Sequence, residues 1–170
     1  MSTRIARPLP RTQQFGSVTD FLTHMSVVHQ RIERHTERGL ERVAKVLAKD
    51  MRQQIGHYQP AVGPFPSWDA LSPTYEARKV AAGFKAGAPL LRTGEMRDSI
   101  GYEVKGDQAV IGAKDPKAIA HELGTAKIPP RPFIGPAVFR NRKLIEQILG
   151  DALRDGVLGG ELTDAGGYFD

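Results

Sequence analysis

Apolar positions in the first third of the chain recur with a helical period. Phe21, Met25, Val28 and Ile32, then Leu40, Val43, Leu47, Met51 and Ile55, follow one another mostly at three or four residues, which puts them on one face of an α-helix. Ser17 offers a side-chain acceptor at the start, and Asp20 sits in the first turn, where a negative charge meets the positive end of the helix. Gly56 is a natural stop, with Pro60 just beyond. The pattern predicts a helix over residues 17–56, about 55 Å long at 1.5 Å per residue and longer than a small core needs. The polar run His35-Thr36-Glu37-Arg38-Gly39 is where it is expected to bend or divide.

The pattern then changes. Residues 58–69 hold Pro60, Gly63, Pro64 and Pro66 and read as a loop, tied to the core by Phe65 and Trp68. Ser72-Pro73 forms an N-cap and N1 pair that opens a short helix ending near Gly83. The stretch from Phe84 to Pro89 is rich in glycine and alanine, and Thr93 is placed to cap a helical turn running to Ser99. Ile100, Tyr102 and Val104 alternate as in a half-buried strand. Lys105-Gly106-Asp107-Gln108 turns the chain and Ala109–Ala113 returns it. Asp115-Pro116 starts another helix, ending at Leu123 with Gly124 as a left-handed cap. Prolines 129, 130, 132 and 136 then remove backbone donors and fix φ, so residues 124–133 form a stiff extended connector. A last helix opens around Ile134–Ala137, with Val138, Leu144, Ile145, Ile148, Ala152 and Leu153 as its apolar stripe, and ends at Gly156 or Gly159-Gly160.

The fold class that follows is α+β: a small antiparallel β-sheet packed against helices, with a long N-terminal helix and a C-terminal amphipathic helix. A two-stranded hairpin is marginal alone, so it needs helix cover or further strands. Residues 1–16 are expected to be a flexible arm, 17–156 a single domain and 157–170 a loose tail. There is no internal repeat.

At 170 residues with no cysteine, a sizeable core needs no disulfides, and Cys-ligated zinc or iron–sulfur sites are excluded. There is no apolar run of membrane-spanning length, and the basic N-terminus has no apolar signal core behind it, so no membrane association or export is expected. Net charge is +5 with a pI near 9.6. The positive excess lies in the N-terminal third and between Arg131 and Lys143, whereas residues 156–170 carry acids and neither Lys nor Arg. Such asymmetry can steer one end toward nucleic acid or an acidic protein surface. Solvated helix faces account for most of it, since no aromatic stacking platform accompanies the cations.

Candidate chemistry is thin. His121-Glu122 begins like the H-E-x-x-H zinc motif, but Thr125 stands where the second imidazole belongs. His24, His29, His35 and His57 have no carboxylate cluster in a ligand pattern. Asp98, Ser99 and His121 lack the strained turn that exposes a nucleophilic serine, and no phosphate-binding loop is present. No enzymatic activity, metal or cofactor is therefore expected.

Glu122-x-Gly124-Thr125 followed by Pro129-x-Arg131-Pro132-Phe133-Ile134-x-Pro136-Ala137 resembles the E-x-G-T … P-x-R/Q-P-F-x-x-P-A signature of tailed-phage neck and tail-completion (virion morphogenesis) proteins. Upstream, Leu71-Ser72-Pro73-x-Tyr75-x-x-x-Lys79 and Leu90-Leu91-Arg92-Thr93-Gly94-Glu95-Met96-Arg97-Asp98-Ser99-Ile100 are similar to a second block of that family. The resemblance implies a structural virion protein of the phage neck. It would join head to tail, or complete the tail end, within a multi-subunit ring assembled in the host cytoplasm. Its partners would be further copies of itself and neighbouring neck, head-closure or tail proteins, and a basic region lining the channel would also meet packaged DNA. The interface candidates are Leu91, Arg92, Thr93, Gly94, Arg97 and Ile100 in the first block. In the second they are Glu122, Gly124, Thr125, Lys127, Pro129, Arg131, Pro132, Phe133 and Pro136. The double substitution Arg131→Ala/Phe133→Ala is accordingly expected to fold yet fail to assemble. The runner-up is a basic DNA-binding accessory protein, which predicts affinity that falls steeply with salt. A hydrolase using Ser99, His121 or Glu122 comes third.

Overall fold

The computed structural model describes residues 14–159, so most of the expected N-terminal arm and C-terminal tail lie outside the described residues. Helix α1 runs Val18–Gln54 without interruption, and the Ser17 Oγ accepts from the Asp20 N–H at 3.1 Å. The helix does not divide at residues 35–39. Gly39 serves close approach instead: a Cβ there would lie 2.8 Å from the Cβ of Ala152 in the last helix, α5 (Ile134–Leu158). A second small residue does the same one step along, where a Cβ on Gly156 would meet the Ile32 Cα at 2.9 Å. The polar patch is thus a helix crossing, and His35 is buried against α5 rather than left in water.

α5 runs antiparallel to α1. At one end the Gln54 Nε2 donates to the Phe133 carbonyl at 2.8 Å. One turn in, Asp50 accepts from Arg140 Nη2 and Asn141 Nδ2, each at 2.6 Å. The core between them draws on Val43, Leu47 and Met51 of α1, Ile55 just beyond it, and Ala137 and Ile148 of α5, with Trp68, Met96 and Phe133 closing one end. The expected α5 stripe is right for Ile148 and Ala152, but Val138 and Leu153 remain 43% and 49% exposed. Leu153 lies about 140° around the helix from Ile148 at 100° per residue, off the packed face.

Residues of α1 before about Val28 project past the end of α5, an overhang of about 15 Å at 1.5 Å per residue. Phe21, Leu22 and Met25 are 44%, 61% and 46% exposed there. Phe15 covers part of this surface, edge-on to the Phe21 ring at 5.3 Å. The helical period in the sequence is therefore real along this stretch, but its apolar face has no partner element among the described residues.

Two further helices, α2 (Pro73–Ala81) and α3 (Glu95–Asp98), precede the hairpin of β1 (Ile100–Lys105) and β2 (Gln108–Ala113). The strands pair antiparallel from Ile100↔Ala113 to Lys105↔Gln108. No third strand joins them among the described residues; α1 supplies the cover, with Ile100 buried and Ile111 and Ala113 packed against the core. Tyr102 stays 39% exposed, so the predicted alternation holds mainly at the strand's start. Ser72 caps α2 as expected, its Oγ accepting from the Tyr75 N–H at 3.3 Å. Thr93 does not cap α3: Gly94 occupies that position with φ of 91°, and the Glu95 N–H reaches Thr93 Oγ1 only at 3.5 Å. Helix α4 (Lys117–Leu123) then leads into the proline connector.

Candidate partner-binding cleft

The connector is built by Glu122. Four N–H groups at the start of any α-helix lack intrahelical partners. At α5, three of them (Phe133, Ile134 and Gly135) donate to the Glu122 carboxylate at 2.8, 3.0 and 2.9 Å. The next residue, Pro136, has no N–H to satisfy. A carboxylate here also meets the positive end of the helix dipole. The last turn of α4 thus caps the first turn of α5 across the connector between them.

That reach requires the chain to leave α4 sharply. Gly124 does so at φ 75° and ψ 172°, outside the left-handed cap conformation expected of it. A Cβ there would press on the Pro130 ring at 3.0 Å. Thr125 then closes a tight turn, its N–H donating to the Ile128 carbonyl at 2.8 Å and its Oγ1 accepting from the Ile128 N–H at 3.1 Å.

Residues 131–133 fasten the connector to the loop and to α1. The Arg131 N–H donates to the His121 carbonyl at 2.7 Å, and its guanidinium donates to the Asp69 and Ala70 carbonyls at 3.1 and 3.3 Å. Trp68 Nε1 donates to the Pro132 carbonyl at 3.0 Å, so the loop aromatics do tie it down. Phe133 is fully buried. The double substitution Arg131→Ala/Phe133→Ala therefore removes a core aromatic and strands two carbonyls, and an intact fold is no longer its expected outcome.

Beside the connector lies a cleft of about 690 Å³. One wall is the 71–79 segment, a second is Leu90–Met96, and the third is α4 with residues 127–131. Six basic side chains line it (Arg78, Lys79, Arg92, Lys117, Lys127 and Arg131) against two acids, Glu95 and Asp115. Lys79 is buried, with Nζ donating to the Ala88 carbonyl at 2.5 Å. Burial pushes its pKa down, and Glu76 opposes this. Burial also lowers the His121 pKa, with Arg131 and Lys117 pushing the same way and Asp115 against. His121 Nδ1 and Glu76 Oε2 are both buried without a hydrogen-bond partner. Arg92 stacks over the Phe84 ring at 4.9 Å. Leu90 is held at φ 61°, a left-handed conformation that costs a non-glycine residue of order 1–3 kcal/mol. The Gly56 N–H, bonded to the Pro89 carbonyl at 2.8 Å, holds this segment against the end of α1.

Both sequence blocks that carried the family resemblance thus converge on one concave surface. A model of the phage virion morphogenesis family matches residues 16–154. The chain belongs to that family. No curated protein and no solved structure matches it. As a phage virion morphogenesis protein it serves in building the particle, resides in the virion and has other virion proteins as partners. The match takes in α1, so the long N-terminal helix lies within the family's span rather than being an addition to it.

Among the residues singled out from sequence, Leu91, Arg92, Thr93, Gly94, Lys127, Pro129 and Arg131 all line the cleft. Gly94, Ile100, Arg131, Pro132, Phe133 and Pro136 are buried within the chain. They shape the surface without offering much of it, and Glu122 is engaged at the α5 cap. Arg92, Thr93, Thr125, Lys127 and Pro129 are exposed, while Leu91, Arg97 and Gly124 are half-buried. Arg97 pairs with Asp98 at 2.9 Å. Sequence reasoning gave no role to Lys79 and did not foresee the left-handed backbone of Leu90, although both stood within the motif blocks. A lysine on the fourth position after Tyr75, one helical turn along, was the available signal for the first. Among the described residues no group of three or more His, Asp or Glu side chains could hold a metal ion, and no helix is long and apolar enough to cross a membrane.

Proposed function

We propose that this morphogenesis protein is a structural component of the phage neck, joining head to tail or completing the tail end as one subunit of a ring. The observation that carries the reading is the division of labour within the motif blocks. Their buried members lock α4, α5 and the 58–70 loop into one rigid unit, and their exposed members rim a basic cleft beside it. A joining protein needs such preformed surfaces, because many modest contacts then add through multivalency. Ring closure needs two different patches on each subunit. The overhang of α1, with Phe21, Leu22 and Met25 exposed, supplies a second. Ile119 and Leu123 on α4, 70% and 75% exposed, supply a third beside the connector.

Electron microscopy of particles assembled with and without the protein tests this. Full heads lying apart from finished tails in its absence are expected; intact infectious particles would remove the neck role. DNA binding is the second reading, favoured by the cation excess of the cleft. It predicts a log–log fall of affinity with salt whose slope counts the phosphates contacted.

A further inference from the structure

We propose that the cleft receives the acidic segment 160–170 of a second copy of this chain, making a head-to-tail joint between neighbouring subunits. The inference deepens the assembly reading above and rests on it.

Charge carries the first part. Of the six cations lining the cleft, only Lys117 has a carboxylate within ion-pair range among the described residues, Asp115 at 3.9 Å. Arg92 and Lys127 are exposed at the rim without one. Segment 160–170 (Gly-Glu-Leu-Thr-Asp-Ala-Gly-Gly-Tyr-Phe-Asp) carries Glu161, Asp164 and Asp170 and no cation. Its Leu162, Tyr168 and Phe169 suit the apolar part of the cleft, formed by Leu71, Leu91, Met96 and Ile128. A surface tracking a nucleic-acid strand would instead present stacked aromatics along a basic groove; Tyr75 is the one aromatic in the lining.

Reach decides between the chain's own segment and a neighbour's. The cleft flanks the start of α5, whereas residue 160 follows its end, 25 helical residues away, or about 37 Å at 1.5 Å per residue. Residues 160–170, fully extended, span at most about 36–40 Å. They would be exhausted on arrival, with nothing left to enter the cleft. A neighbouring copy presents its segment without that constraint. The contact is heterologous, which is the type that generates rings.

The test is fluorescence anisotropy of a labelled peptide of residues 159–170 titrated with the intact protein. Saturable binding that weakens with salt is expected, at least tenfold weaker for Arg92→Glu/Lys127→Glu. A peptide with Glu161→Lys and Asp164→Lys should lose binding to the native chain and regain it with that variant. Both substituted side chains are exposed, so the fold should survive; if it does not, Lys127→Gln alone should still weaken binding severalfold. No saturable binding, or equal affinity for native and variant proteins, overturns the proposal. So does a DNA duplex that binds through Arg92 and Lys127 where the peptide fails. Heads and tails still separate without the protein would then leave the neck reading standing and remove only this joint.

Discussion

Replacing Glu122 by glutamine tests the account of the connector most directly. The substitution keeps the side chain's size but removes its charge, and it turns one of two acceptor oxygens into a donor. In the native chain those oxygens accept from Phe133, Ile134 and Gly135 at 2.8–3.0 Å. Glutamine can serve at most two of the three, so one part-buried N–H is left without a partner, at about 1–3 kcal/mol when fully buried. Loss of the charge at the helix start adds about 0.3–1 kcal/mol. Water reaches a part-buried site, which favours the lower half of the combined range, about 1.5–2.5 kcal/mol. Alanine, which strands all three donors, should cost about 3.5–6.5 kcal/mol on the same basis. For a domain stable by about 5–15 kcal/mol these are large fractions. Urea unfolding followed by circular dichroism should show the midpoint shifted and the slope unchanged. A Glu122→Gln protein within about 0.5 kcal/mol of native would refute the capping account, being the range of an ordinary surface substitution. If it also failed to assemble, Glu122 would return to the interface.

Phe133→Ala should destabilise by about 3–5 kcal/mol, because a fully buried aromatic leaves a cavity; denaturant titration with near-native stability would count against its place in the core. Gly39→Ala should destabilise although glycine to alanine within a helix ordinarily gains up to about 1 kcal/mol, since the new methyl lies 2.8 Å from Ala152. Gly150→Ala, with nothing within 4 Å, should stabilise, and thermal melts showing both changes alike would dismiss the crossing argument. His35 and His121 both have pKa values lowered from an ordinary 6.5, chiefly by burial. The unfolded chain therefore binds protons more readily, and stability should fall as pH drops through 6.5 toward the folded values. Melting temperatures at about pH 7.5 and 5.5 should differ, and less so in His35→Asn/His121→Asn; an unchanged difference would exclude these two groups as its source.

Local signals in the sequence determined much of this protein. The Ser17 and Ser72 caps, the stop at Gly56, the hairpin about Gly106-Asp107 and the proline connector all depend on chemistry within a few residues, which a linear pattern records. The α+β class and both long helices followed from hydrophobic period. What the tertiary structure alone decided was where long-range partners fall. Gly39 looked like a break because its flanks are polar, and only the approach of Ala152 makes it a crossing. Phe133 and Arg131 looked like surface anchors because they sit in a proline-rich connector; residues more than sixty positions away, at Gln54, Trp68 and Asp69, bury them. Glu122 read as part of a motif, and its role as the cap of α5 became visible once α4 was folded back onto that helix's first turn. The cleft belongs to this second class, since it exists only where segments from residues 70 to 131 meet. A sequence names the groups that can bond. Which of them meet is decided by packing, because pairing across tens of residues depends on the whole chain's shape.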